Sequence, residues 1–98
     1  MEVVISRSMK PEKRFKAEFR TKTVHFGAKG GKTYVDHKDD RTKSNWMARH
    51  KVRENWDRYE SAGALSKHIL WNKTNIQDSV KSLNRQQSQY KFTIKNSL

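Results

Sequence analysis

Apolar and polar residues alternate strictly over residues 14–20, where Phe15, Ala17 and Phe19 share one parity and Arg14, Lys16, Glu18 and Arg20 take the other. A period of two is the signature of a half-buried strand. Thr23-Val-His-Phe26 alternates as well. Folding the two back through Thr21-Lys22 sets Phe19 opposite Val24 and Ala17 opposite Phe26, with Glu18 and His25 facing each other on the far side. A four-residue loop serves equally, because Thr-Lys is not a favoured two-residue turn. Ahead of this hairpin, Val3, Val4 and Ile5 form a candidate short strand. Pro11 and the basic run Lys10–Arg14 argue against a long element there, so residues 1–13 are expected to form a flexible basic arm.

Further along, the period changes to that of helices. Asp39 or Asp40 is placed to cap a helix reaching about Val52, with Trp46, His50 and Arg53 on one face. Ser61 begins a second helix, whose face carries Ala62, Leu65 and Ile69 and closes on Trp71. Thr74-Asn-Ile-Gln77 has the form of a capping box opening a third helix. Its inner face holds Ile76, Val80 and Leu83, thins after Arg85, and continues in register to Gln87 and Tyr90. Tyr90, Phe92 and Ile94 alternate and offer a further short strand. The pattern predicts an α+β fold: an N-terminal β-hairpin packed against two or three α-helices. One domain over 14–90 is expected, preceded by the arm and followed by a tail over 91–98.

Composition then changes the picture. Only 33% of the 98 residues are apolar, so ten aromatic rings must carry much of the packing. Trp56 and Trp71 are therefore expected in the core, with Leu65 and Ile69, against the Phe19/Val24 face. The competing reading has Trp56 and Trp71 offering flat faces to unpaired bases, flanked by Arg53, Arg58 and Lys73. Trp46, between Lys43 and Arg49, is the ring expected to be exposed. With no cysteine, disulfides, thiolate metal sites and a cysteine nucleophile are excluded. No apolar run reaches membrane-spanning length, and Glu2 stands where a signal peptide would be basic.

The formal net charge is +12. A field of that sign attracts polyanions, nucleic acid first and acidic proteins or membrane surfaces after it. The candidate phosphate contacts are Lys16 and Arg20 on the hairpin, Lys29 and Lys32 on the Gly27–Lys32 loop, Arg41, Lys43, Arg49, Lys51 and Arg53 on the first helix, and Lys73. Lys10, Lys13 and Arg14 add to them on the arm. No recognition-helix or zinc-finger pattern is present, so binding without strong sequence preference is expected. Gly31-Lys32-Thr33 ends like a phosphate-binding P-loop, but Phe26 stands where that motif needs its first glycine. His37, Asp40 and His50, with Asn55, form the one conceivable nuclease set. Their spacing matches no two-histidine metal motif. Hydrogen-bonding roles at a helix junction are the favoured alternative for Asp40, His50 and Asn55.

Several segments together resemble a known family: Phe26-Gly-Ala28, Tyr34, His37-Lys-Asp39, Arg49-His50, Arg53-Glu-Asn-Trp56, Ala62-Gly63 and Leu70-Trp-Asn-Lys73. The resemblance, over roughly residues 15–84, is to small basic proteins of unknown function encoded by large and giant nucleocytoplasmic DNA viruses. Thr74 departs from the family's usual proline, and Thr21-Lys22 from its Asp-Gly turn. The resemblance implies a viral protein acting in the cytoplasm or nucleus of an infected cell, or packaged in the virion, and it supplies no catalytic residues. The leading expectation is a non-enzymatic nucleic-acid-binding protein, with DNA ranked ahead of RNA and without a cofactor, a metal or membrane insertion. The alternatives are a minor capsid or virion component contacting capsid proteins, and a metal-dependent nuclease.

Overall fold

In the computed structural model, which describes residues 1–95, a four-stranded sheet is covered on one face by helices. The order of elements is β1 (Glu2–Arg7), β2 (Lys13–Glu18), β3 (Thr23–Ala28), α1 (Tyr34–His37), α2 (Asp40–His50), α3 (Ala62–Leu65), a π-helical turn (Ser66–Leu70), α4 (Ile76–Gln86) and β4 (Lys91–Ile94). The strands lie in the order β3-β2-β1-β4, antiparallel except for the parallel β1–β4 pair. This is the expected α+β fold, hairpin and helices included, with a larger sheet.

The N-terminal segment corrects the expectation of a flexible arm. β1 is an interior strand, paired with β2 on one side and β4 on the other. Val3 and Ile5 are wholly buried. Three β-branched residues in a row suit a strand with partners on both edges. Pro11 and the basic run belong to the tight turn into β2, where the Lys13 N–H donates to the Lys10 carbonyl. The expected tail is corrected too. Lys91–Ile94 is β4 and belongs to the sheet, and residues 96–98 of that tail lie outside the described residues.

The hairpin register differs from the expected one by two residues. Ala17 faces Val24, Phe15 faces Phe26, and Lys16 faces His25. The loop is the four-residue form, closed where the Phe19 N–H donates to the Lys22 carbonyl at 2.8 Å. An even slip keeps every side chain on its own face, so the alternation alone could not distinguish the two registers.

The core lies between the sheet and the C-terminal helices: Val3, Ile5, Phe15, Ala17, Phe19, Phe26, Leu65, Ile69, Leu70, Trp71, Val80, Leu83, Tyr90 and Phe92. Trp71 is buried as expected. Trp56 is half-buried and stands outside this cluster, which corrects its assignment to the core. The cap of α4 is Asn75, not Thr74. Its carboxamide oxygen accepts from the Asp78 N–H at 2.8 Å and its amide donates to the Asp78 carboxylate at 3.0 Å. After α4, Asn84 grips β4, donating to the Phe92 carbonyl at 2.9 Å and accepting its N–H at 2.8 Å. Gly27, with φ of +78°, lets β3 run close under the π-helical turn; a Cβ there would meet Leu70 Cδ1 at 2.9 Å.

Candidate nucleic-acid interface

The site is built around the loop that joins β3 to α1. Thr33 caps α1, and its N–H and hydroxyl both donate to Asp36, at 2.8 and 2.9 Å. Arg14 of β2 reaches the same carboxylate in a two-pronged contact of 2.8 and 3.2 Å, tying α1 to the sheet. Partial burial pushes the Asp36 carboxyl up, but Arg14 and Thr33 outweigh it and hold the group below its usual range. Lys38 ends α1 in the left-handed conformation, with φ of 57°. Asp39 then caps α2 by accepting the N–H groups of Arg41 and Thr42.

This arrangement leaves three hollows around the glycine loop. A cleft of about 720 Å³ is lined by Arg7, Arg14, Lys29, Lys38, Val35 and Ile76, among others. A shallower depression over Gly30, Gly31 and Lys32 shares Arg14, Gly30, Val35 and Asp36 with it. A third hollow, of about 350 Å³, shares Gly31 and Lys32 with that depression and reaches Lys13, Trp46 and Trp71. Together they form a run of concave surface bordered by Arg7, Lys29, Lys38, Lys32 and Lys13. Among the described residues, only Arg14 and Lys16 of the 22 lysines and arginines form ion pairs with carboxylates.

The cations singled out from the sequence separate into three groups. Lys29 and Lys32 lie on this concave run. Arg41, Arg49, Lys51, Arg53 and Lys73 are exposed but line none of these hollows. Lys16, Arg20 and Lys43 are elsewhere or occupied. Lys16 pairs with Glu18 at 3.7 Å, and Arg20 lies near the β2–β3 turn beside Met1 and Phe19. Lys43 is half-buried, donates to the Asn72 carbonyl at 2.6 Å, and lies 4.6 Å from the centre of the Tyr34 ring. Burial, and then the nearby Lys73 charge, push its ammonium below the usual lysine range. Lys67 sits over Trp56 at 5.3 Å and is lowered likewise, by burial and by Lys43. Arg7 and Lys38 were missed. Arg7 has the parity of Val3 and Ile5, so alternation could have placed it where β1 leaves the core; Lys38 depends on a left-handed turn that no local pattern announces.

The nuclease residues do not converge. The Asp40 carboxylate accepts the Tyr34 hydroxyl at 2.5 Å. That bond, followed by burial, raises the Tyr34 pKa. His37 Nδ1 accepts the Asp39 N–H at 2.9 Å, and its ring meets Trp71 edge-on at 5.5 Å. His50 stacks on Trp46 at 4.3 Å. Among the described residues no group of three or more His, Cys, Asp or Glu side chains is placed to hold a metal ion. Trp46, expected as the exposed ring, is half-buried, with His50 on it and Trp71 parallel at 4.7 Å.

His68 locks the irregular segment before α3. Its Nε2 is 2.8 Å from the Trp56 carbonyl, which only accepts, so Nε2 carries the proton. Nδ1 faces the Gln86 amide at 3.3 Å and accepts from it. Burial pushes this imidazole below its usual range, so the neutral form is held.

Residues 3–50 are similar to the family described as "Family of unknown function (DUF5754)". That stretch runs from β1 through α2 and includes the whole glycine loop. No curated protein and no solved structure matches the chain. No described helix is long and apolar enough to cross a membrane.

Proposed function

We propose that this protein binds nucleic acid through phosphate contacts, without strong sequence preference and with DNA ahead of RNA. The observation that carries the reading is the run of concave surface bordered by Arg7, Lys13, Lys29, Lys32 and Lys38, none of them ion-paired among the described residues. Unpaired cations on separate segments can follow a backbone of regularly spaced phosphates, and the glycine loop lets that backbone come close. The exposed Arg41, Arg49, Lys51 and Arg53 extend the same field along and beyond α2. The setting we propose, a large DNA virus, rests on the sequence resemblance alone.

The test is affinity for labelled duplex and single-stranded DNA as a function of salt. Binding is expected to weaken linearly in log–log form as salt rises. Lys29→Gln and Lys38→Gln are each expected to reduce the slope by about one. Binding indifferent to salt, or absent at low ionic strength, would overturn the reading.

A further inference from the structure

The cleft of about 720 Å³ collects more positive charge than its own residues answer. Four cations line it, Arg7, Arg14, Lys29 and Lys38, against one carboxylate, Asp36. Arg14 already holds that carboxylate, at 2.8 and 3.2 Å. Three positive charges therefore remain, on Arg7, Lys29 and Lys38, and none of them is ion-paired among the described residues. They come from three separate segments: the end of β1, the glycine loop and the residue that ends α1. Residues 74–77, at the start of α4, form an uncharged wall. Val35 and Ile76, both half-buried, add apolar surface.

A ligand that answers this set brings concentrated negative charge. An internal phosphodiester carries one charge, and both of its ester links have to leave between the walls. A terminal phosphomonoester carries close to two at neutral pH, presents three acceptor oxygens and leaves by a single link. With the diester next to it, it matches the three free cations. The attached deoxyribose has Val35 and Ile76 to rest on, and the volume is that of a small-ligand site. A carboxylate ligand, with one charge, would leave two of the cations unanswered.

We propose that this cleft takes the phosphorylated end of a nucleic-acid strand, with Arg7, Lys29 and Lys38 meeting the terminal phosphate and the diester next to it. The assignment rests on the nucleic-acid reading above and adds recognition of a strand end to it.

The experiment uses the full chain and short oligo(dT) strands carrying a 5′-phosphate, a 3′-phosphate or hydroxyls at both ends. A hydroxyl-ended strand two nucleotides longer controls for total charge, and thymidine 5′-monophosphate is the free-nucleotide probe. At least one phosphorylated strand is expected to bind ~10-fold more tightly than either hydroxyl-ended strand, the scale of added charge-assisted contacts, and it identifies the end that is read. Arg7→Gln and Lys38→Gln should each lower that preference to ~3-fold or less. Gln77→Glu puts a carboxylate into the cleft from the first turn of α4, where a helix favours negative charge, and should abolish the preference. Arg49→Gln, outside the cleft, should weaken all strands alike. Equal affinity of the phosphorylated strands and the charge-matched hydroxyl strand overturns end recognition and leaves backbone binding standing. A preference that survives all three cleft variants overturns its place in this cleft. Failure of every strand to bind at low salt overturns both readings. Thymidine 5′-monophosphate binding as tightly as the phosphorylated strand overturns the assignment to a strand.

Discussion

The helices α2 and α4 have the same length, 11 residues each, and the same kind of side-chain N-cap, yet they are held by different forces. α4 buries Ser79, Val80 and Leu83 against the sheet, while α2 has no buried residue. α2 is held at a few points: the Trp46 ring on Trp71, the Lys43 ammonium on the Asn72 carbonyl, and Asp40 on Tyr34. The difference teaches how a chain with few aliphatics divides its work. One helix carries the fold, and the other, tethered by a ring and a few polar contacts, is left free to display charge. A helix without an apolar stripe is stable only where such local anchors replace packing.

The largest effect that would break this contrast is predicted for Leu83→Ala. Removing that wholly buried side chain should cost about 2–5 kcal/mol in urea unfolding. A cost near that of a surface change would place the core elsewhere. Trp46→Ala is expected to cost less, about 1–2 kcal/mol, since the ring is only half-buried. Its signature is local: hydrogen exchange should speed up in α2 before α4 responds. Uniform acceleration across both helices would show that α2 is integral to the core.

His68 joins the segment before α3 to α4 through Trp56 and Gln86, and its titration gives a smaller effect. Its folded pKa is depressed by burial. The contribution is fully present above the unfolded value of about 6.5 and is lost as pH falls through the folded one. Thermal stability should therefore drop on acidification below neutrality, and His68→Gln should flatten that part of the profile. A profile unchanged by the substitution would remove His68 as its source. Smallest of all, Arg41→Gln and Arg49→Gln should leave stability within about 0.5 kcal/mol while weakening binding of DNA at low salt. Unchanged DNA affinity would confine the binding surface to the concave run.

Local chemistry was largely legible in the sequence. A cap for α2 at Asp39 or Asp40, the start of α3 at Ser61, the alternation of Phe15, Ala17 and Phe19, and the inner face of α4 all follow from periodicity and side-chain type; the structure settles the cap of α2 on Asp39. Pairing between distant segments was not legible. Val3–Ile5 and Phe92–Ile94 are each a short run that reads as a marginal strand. They become the centre and edge of a sheet only because they lie parallel to each other across the intervening chain. The candidate site divides in the same way. Lys29 and Lys32 were legible as loop cations beside glycines, whereas Arg7 and Lys38 join them only through the turns that bring β1 and α1 together.

The sequence by itself determined the charge, the starts of α2 and α3, the faces of the strands and the need for aromatic packing, because each is set within a few neighbouring residues. Only the tertiary structure decided the hairpin register, the burial of β1, the place of Trp56 outside the core and which cations share a groove. Those outcomes depend on long-range contacts whose geometry no local period encodes.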